Sequence, residues 1–277
     1  MDTASHSISP EQFLALLGNA DAPLVLDVRR EERFRESERI LPGARRCAPE
    51  QVAPFAAANS PGLAIVYCVH GLEVGEQAAA QLRAAGWNAR YLQGGIEGLI
   101  EHGLPTIRKR ADLGVTGERP SRWITRERPK IDRIAGPWLV RRFIDPAAEF
   151  FYVPTEQVFA EAARLKAVPY DIPGAPISHE WERCSFDALL GAFELQEPAL
   201  ATLATIVRGA DTDRLSLAPQ AAGLLAVSLG LSRLHADDDQ AMLAAAMPLY
   251  DALYEWCRSA QGETHSWRVH TPPAAAQ

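Results

Sequence analysis

The stretch LAIVYCVHGLEV, residues 63–74, joins a short apolar run to a cysteine and to the start of a helix. The apolar run is partly β-branched, as in strands that are buried on both faces of a sheet. Residues 74–85 follow with apolar side chains on one helical face, and residues 89–92 form a further short apolar run. This order of strand, helix and strand predicts a parallel sheet with helices on both faces.

The residues before this stretch extend the same pattern. Ser9, Pro10 and Gln12 are typical of a helix that begins with a capping box, and residues 24–28 predict another buried strand. We therefore expect an α/β domain over residues 1–106.

Cys68 occupies the loop between the strand and the helix. In such a loop, backbone N–H groups and the helix dipole favour a thiolate and any anion bound beside it. We therefore interpret Cys68 as a nucleophile; the alternative is a small buried thiol at the end of a strand. Residue 74 is valine, so the Cys-x5-Arg pattern of cysteine phosphatases is absent.

Three further motifs accompany this loop: LDVR at 26–29, ILPGA at 40–44 and the segment from Gly94 to Pro105. With them, residues 8–106 resemble a single rhodanese (sulfurtransferase) domain. The resemblance implies that Cys68 takes sulfane sulfur from a small anionic donor such as thiosulfate. Cys68 would hold this sulfur as a persulfide and pass it to a thiol acceptor, and no cofactor is required.

The resemblance also implies which residues bind the donor. Their backbone amides would stabilise the anion and the persulfide; the residues are Val69, His70, Gly71, Leu72, Glu73 and Val74. Glu73 stands where active relatives often carry a cation. A carboxylate there repels anions, which predicts low efficiency with thiosulfate.

Composition sets the limits of the whole chain. Its 277 residues are 47% hydrophobic and 23% charged, which predicts a folded protein of about two domains. A net charge of -7 argues against nucleic acid as a general partner. The first residues lack the features of an export signal, no apolar run is long enough to span a membrane, and the four cysteines form no disulfide framework, so we expect a cytoplasmic protein.

The rest of the chain divides into three parts. Residues 107–128 carry seven Lys or Arg against three Asp or Glu, and we expect a solvated basic linker there. Residues 129–260 predict a mostly helical α+β domain with a strand at 149–153. We expect residues 261–277 to form a flexible tail.

Polar groups in the second domain interrupt apolar sequence, which predicts an ion-pair network, a metal site or an oxyanion site. The candidate ligands for a divalent Zn, Fe or Mn ion are His179, Glu182, Cys184, Asp211 and Asp213. The candidate oxyanion-binding residues are Arg133, Arg141, Arg142 and Arg208.

Residues 122–258 resemble the C-terminal domain of ChrB-type chromate-resistance proteins. The resemblance rests on DRI at 132–134, PWL at 137–139, RCSFD at 183–187, RGADTD at 208–213 and YDALY at 250–254. Gly136 stands where relatives carry cysteine, so a thiol cannot act at that position. The resemblance implies a link to chromate stress.

Two functions of different classes follow from these observations. The leading hypothesis is a sulfurtransferase that acts through Cys68 and is linked to chromate resistance. The alternative is a non-catalytic sensor or regulator that binds chromate or a metal in the second domain. A third, plainer reading is an oligomeric scaffold with an inactive rhodanese-like fold.

Overall fold

The computed structural model describes residues 6–264 of the chain. The strands in this part are β1 (Ser7–Ile8), β2 (Leu24–Asp27), β3 (Arg39–Ile40), β4 (Ala44–Arg46), β5 (Leu63–Tyr67), β6 (Asn88–Leu92), β7 (Ile107–Arg108), β8 (Arg122–Arg126), β9 (Glu149–Val153) and β10 (Val168–Pro169). The α-helices are α1 (Pro10–Leu14), α2 (Glu31–Glu36), α3 (Val52–Ala58), α4 (Glu73–Ala84), α5 (Gly95–Glu101), α6 (Asp132–Leu139), α7 (Val158–Leu165), α8 (Ser185–Ala192), α9 (Pro198–Asp211), α10 (Gln220–Leu234) and α11 (Asp239–Glu255). π-helical segments continue α6 over Val140–Ile144 and α11 over Trp256–Ala260.

The first sheet has the strand order β1-β6-β5-β2-β4, and every neighbouring pair in it is parallel. The apolar run of β5 lies at its centre, as the sequence predicts. Helix α1 begins at the predicted capping box, in which Ser9 and Gln12 exchange hydrogen bonds. Helix α4 buries Ala78, Ala79 and Leu82 against the sheet. These features confirm the predicted α/β fold.

The second sheet has the order β10-β8-β9 and is also parallel. Helix α7 packs on one face, where Val158 and Ala162 share a core with Ile124. Trp123 points to the other face and joins a larger core with α6, α8, α9 and α11. This confirms the prediction of a helix-rich second region. Over residues 6–264, no helix combines the length and the apolar character needed to cross a membrane.

The prediction of a solvated linker at residues 107–128 is wrong. β7 pairs with β3 of the first region, and β8 is the central strand of the second sheet. Leu113 and Val115 between them are buried. Lys109 lies 3.6 Å above the ring centroid of Phe34 and donates to its backbone oxygen. The segment is packed because its apolar residues are buried while cations such as Arg110, which pairs with Asp112 at 2.7 Å, find partners. Of the predicted tail, residues 265–277 lie outside the described residues.

One hydrophobic core runs through both regions. Phe143 and Tyr254 of the second region pack with ring centroids 5.3 Å apart. A Cβ atom on Gly18 of the first region would lie 2.6 Å from atoms of both rings. The N–H of Gly43 also donates to the backbone oxygen of Phe143 at 3.1 Å. The two regions therefore meet through close packing.

A buried ion pair stabilises the first region. The Nη2 of Arg29 lies 2.6 Å from Oδ2 of Asp27, and both side chains are about 1% exposed. The Tyr67 hydroxyl donates to the same carboxylate at 2.7 Å, and Arg29 also donates to the backbone oxygen of Arg39 at 2.9 Å. The motif LDVR thus supplies a closed pair of opposite charges beneath the sheet.

Candidate functional site

Cys68 lies directly after β5 and is 6% exposed. A Cβ atom on Gly75, in the first turn of α4, would stand 3.4 Å from its Sγ. Gly75 therefore lets the first turn of the helix approach the sulfur. The backbone oxygen of Leu72 lies 4.0 Å from the same Sγ. The loop thus folds around the thiol, as the sequence predicts.

A pair of glycines holds this loop in place. Gly71 has a φ of 66°, and Gly95, in the turn that starts α5, has a φ of 59°. A Cβ atom on Gly71 would meet the backbone oxygen of Leu92 at 2.3 Å, and one on Gly95 would meet that of Val69 at 2.4 Å. Glycine is required at both positions because the two backbones touch.

The backbone amides of the Cys68 loop are unpaired in the part of the chain that the structure describes. None of the N–H groups of residues 69–74 donates to an acceptor within the described part of the chain. Leu72 is 64% exposed, and His70 and Glu73 are exposed as well. The carboxylate of Glu73 accepts a hydrogen bond from Gln77 at 3.0 Å. The six residues predicted to bind the donor thus lie together around Cys68.

The other cysteines lack this setting. Burial raises the pKa of the Cys47 thiol, and burial raises that of Cys257 to about 11. Burial, reinforced by the charges of Asp132 and Asp187, raises the pKa of Cys184 as well. These three side chains are therefore held as neutral thiols.

A second polar cluster lies in the second region, at the loop that carries His179. The Nε2 of His179 lies 3.1 Å from Asp211 Oδ2, 3.2 Å from Asp171 Oδ1 and 3.5 Å from Asp132 Oδ2. One ligand atom each of Asp132, His179 and Asp211 lie within 4.8 Å of one another. Three carboxylates thus meet at one imidazole nitrogen.

Different elements bring these residues together. Asp132 begins α6, and its two oxygens accept the N–H groups of Ser185 and Phe186 at 2.6 and 2.9 Å. Asp171 follows β10, and Asp211 is the last residue of α9. The His179 side chain is 41% exposed, which leaves one side of the cluster open to solvent.

The close approach of the three carboxylates and the imidazole shifts the pKa values of these groups. Burial and repulsion from Asp211 and Asp171 raise the pKa of Asp132. Burial and repulsion from Asp171 raise that of Asp211. Its hydrogen bond to Asp171, together with the other carboxylates, raises the pKa of His179 to about 9.

The structure brings together only two of the predicted metal ligands, His179 and Asp211. Glu182 is exposed and pairs with Arg214 at 2.9 Å. Cys184 is fully buried as the N-cap residue of α8, where its Sγ lies 3.5 Å from Asp187. Asp213 is exposed just past the end of α9. The prediction that these three could join one site is therefore wrong, because each lies outside the cluster.

Asp132 and Asp171 were missing from the predicted set. Asp132 begins α6, which follows β8 along the chain, and Asp171 lies shortly after the end of β10. The carboxyl ends of parallel strands meet at one edge of a sheet, where ligand sites are common. That rule was the available signal for both residues.

The four arginines proposed to bind an oxyanion have separate protein partners. Arg142 pairs with Asp251 and Arg208 with Asp187, both at 2.8 Å. Arg133 pairs with Asp171 at 3.3 Å. Arg141 lies 5.2 Å from the ring centroid of Phe150. The prediction of one pocket built from these four is therefore wrong, because each guanidinium is already engaged elsewhere.

Comparison with known proteins identifies a relative of part of the chain. A curated relative, the protein ChrB of Cupriavidus metallidurans, is 34% identical over 151 residues, which are 51% of this chain and 45% of that protein. The chain thus spans less than half the length of this relative.

Several solved structures match about a third of this chain. A protein from Lactobacillus plantarum is 28% identical over 38% of this chain and 89% of its own, with a TM-score of 0.35. A rhodanese homologue from Thermus thermophilus is 27% identical over 33% of this chain and 98% of its own, with a TM-score of 0.28. A thiosulfate sulfurtransferase from Pseudomonas aeruginosa is 24% identical over 37% of this chain and 19% of its own, with a TM-score of 0.32.

Two protein families match the chain over most of its length. Residues 9–102 match the rhodanese-like domain, and residues 123–257 match the C-terminal domain of ChrB. Both resemblances seen in the sequence are thereby confirmed. The chain contains a rhodanese-like domain followed by a ChrB C-terminal domain.

Proposed function

We propose that the protein is a sulfurtransferase that carries sulfane sulfur on Cys68 and serves in resistance to chromate. The observation that carries the proposal is the position of Cys68 at the end of β5, beside the first turn of α4. The loop amides of residues 69–74 are free to bind an anion there. The match to the rhodanese-like domain supports the same chemistry.

The reaction has two displacement steps. The Cys68 thiolate attacks the outer sulfur of thiosulfate, so that a new S–S bond forms while the old one breaks and sulfite leaves with the electron pair. A thiolate acceptor then attacks the terminal sulfur of the persulfide and regenerates the Cys68 thiolate. The loop amides and the N-terminus of α4 stabilise the negative charge in both steps. The four free cysteines support a reducing, cytoplasmic setting.

The test is persulfide formation in matched cysteine variants. We expect wild-type protein treated with thiosulfate to gain one sulfur atom, and Cys68→Ser to gain none. Cys47→Ser is the control, because Cys47 is also a buried thiol of the first region but lies outside the loop. Mass spectrometry of the intact protein and of its peptides locates the sulfur.

The carboxylate of Glu73 repels the thiosulfate anion, so the experiment includes a second sulfur donor. An alkyl hydropersulfide in its neutral form avoids repulsion by the carboxylate, and the Cys68 thiolate takes its outer sulfur while an alkyl thiolate leaves. Sulfur on Cys68 from either donor supports the proposal. An equal gain of sulfur in Cys68→Ser, or no gain in wild-type protein from either donor, contradicts it.

A second candidate is a non-catalytic regulator that responds to a metal or to chromate. The cluster around His179 and the core shared between the two regions favour it, because a ligand in one region could alter the other. Contact with nucleic acid through the basic segment is disfavoured, since Arg108 lies 3.4 Å from Glu194 and Lys109 is packed on Phe34. Undiminished chromate resistance in cells that carry Cys68→Ser would favour this candidate.

A further inference from the structure

We infer that Asp132, His179 and Asp211 bind one divalent transition-metal ion at the carboxyl edge of the second sheet. This site does not depend on the proposed sulfur transfer. Neither the match to ChrB nor the match to the rhodanese-like domain assigns it.

The first argument is the spacing of the donor atoms. Metal–ligand bonds of about 2.0–2.2 Å with angles near 90–110° place neighbouring ligand atoms roughly 3.0–3.5 Å apart. The Nε2 of His179 lies 3.1 Å from Asp211 Oδ2 and 3.5 Å from Asp132 Oδ2. Two of the three donor separations therefore match the spacing that a shared cation would impose, and all three donor atoms lie within 4.8 Å of one another.

The second argument is the balance of charge. The Nε2 atom can carry only one proton, yet three carboxylate oxygens face it. Asp171 is compensated by Arg126 at 3.2 Å and by Arg133 at 3.3 Å. Asp132 and Asp211 have no lysine or arginine within 4.0 Å among the described residues, so both depend on the one proton of His179 Nε2. A divalent ion at this point would satisfy both.

The third argument is the way the carboxylate of Asp132 is fixed. It is 1% exposed, and two backbone N–H groups at the start of α8 hold it at 2.6 and 2.9 Å. Oδ2 of Asp132, which accepts the Ser185 N–H, also lies 3.5 Å from Nε2 of His179. Metal sites depend on such hydrogen bonds from neighbouring groups to orient their ligands.

An unpartnered buried group lies at the same edge of the sheet. Thr125 is fully buried, and its Oγ1 finds no hydrogen-bond partner among the described residues. Because side chains alternate along a strand, Thr125 shares the face of Trp123, against which α6 and α8 pack. The carboxyl edge of a parallel sheet is also the usual place for ligands in α/β folds. The Thr125 hydroxyl is thus a buried polar group without a partner, on the face of the sheet that α6 and α8 cover.

The donor set and the open side define the class of ion. Two carboxylates and one imidazole suit Mn²⁺, Fe²⁺ or Zn²⁺ better than the soft ions that prefer thiolates. Because His179 is 41% exposed, the cluster is reached from solvent. Three protein ligands leave positions for water or for a small anion, as in metal sites that do chemistry rather than in closed structural ones.

The test is Mn²⁺ binding to the full chain after metal removal with EDTA, followed by the electron paramagnetic resonance of free Mn²⁺. We expect one Mn²⁺ per chain, displaced by Zn²⁺. His179→Ala and Asp211→Asn should each weaken binding at least about tenfold. The matched controls are Glu182→Gln and Asp213→Asn, which remove carboxylates that lie outside the cluster.

Two results would overturn the inference. One is wild-type protein that binds neither Mn²⁺ nor Zn²⁺, and the other is unchanged affinity in His179→Ala. His179 is half-exposed on a loop, so this variant keeps the fold even where substitution of a buried aspartate would not. Circular dichroism of each variant verifies this.

Discussion

The chain contains two buried ionic centres of opposite design. In the first region, Asp27 meets Arg29, and a tyrosine hydroxyl completes the hydrogen bonds in a closed core. In the second region, three aspartates face one half-exposed histidine. Balanced charge in a sealed site stabilises a fold, whereas unbalanced charge in an open site favours a ligand. The comparison therefore separates structural charges from functional ones within one molecule.

The largest expected effect is in the balanced centre. Asp27→Asn leaves the buried Arg29 without its counter-charge, and we expect it to lower the free energy of unfolding by about 3–5 kcal/mol. Urea denaturation measures this. The control is Asp112→Asn, because Asp112 is 62% exposed beside Arg110, and an exposed pair contributes under about 1 kcal/mol. Equal effects in the two variants would remove the contrast between buried and exposed pairs.

Removal of a carboxylate from the unbalanced centre should change the free energy of unfolding in the opposite direction. In EDTA we expect Asp211→Asn to raise the free energy of unfolding by roughly 1 kcal/mol, because burial and Asp171 disfavour the ionised carboxylate. Saturating Mn²⁺ should reverse the order, since a ligand at about 100 times its Kd stabilises the wild-type chain by about 2.7 kcal/mol. The same urea titration with and without Mn²⁺ measures both. A variant less stable than wild type in EDTA would mean that Asp211 is structural.

The smallest expected effect is a dependence on pH beside the balanced centre. Burial and the charge of Arg29 lower the pKa of Lys109 from 10.5 to about 8. The folded state therefore loses this proton first, so its stability should rise as the pH increases from about 8 to 10.5. Lys109→Met should flatten this rise in the free energy of unfolding. An unchanged pH profile in the variant would assign the rise to other groups.

Local signals in the sequence predicted much of the fold. The capping box at Ser9 and the apolar run of β5 lie where expected, because short-range hydrogen bonds and burial alone determine them. β8 was missed, since Arg122 and Arg126 at its ends gave its segment the composition of a solvated linker. Trp123 and Ile124 between them are apolar, but the position of β8 between two other strands only becomes visible in the fold.

The two candidate sites differed in how far the sequence could predict them. Cys68 and its loop are continuous in sequence, so the strand, the cysteine and the helix could be read together. The cluster at His179 is assembled from a loop, a strand end and two helix ends, which no spacing rule connects. Cys184 was expected to be a ligand because thiolates bind zinc, but its place as a helix cap buries the thiol.

Native mass spectrometry of the full chain, with thiosulfate or an alkyl hydropersulfide and with Mn²⁺, measures both sites at once. We expect wild-type protein to gain one sulfur atom and one metal ion. Cys68→Ser should lose only the sulfur, and His179→Ala should lose only the metal. Wild-type protein that gains no sulfur from either donor, or sulfur that remains in Cys68→Ser, would contradict the central claim that Cys68 carries the chemistry of the first domain.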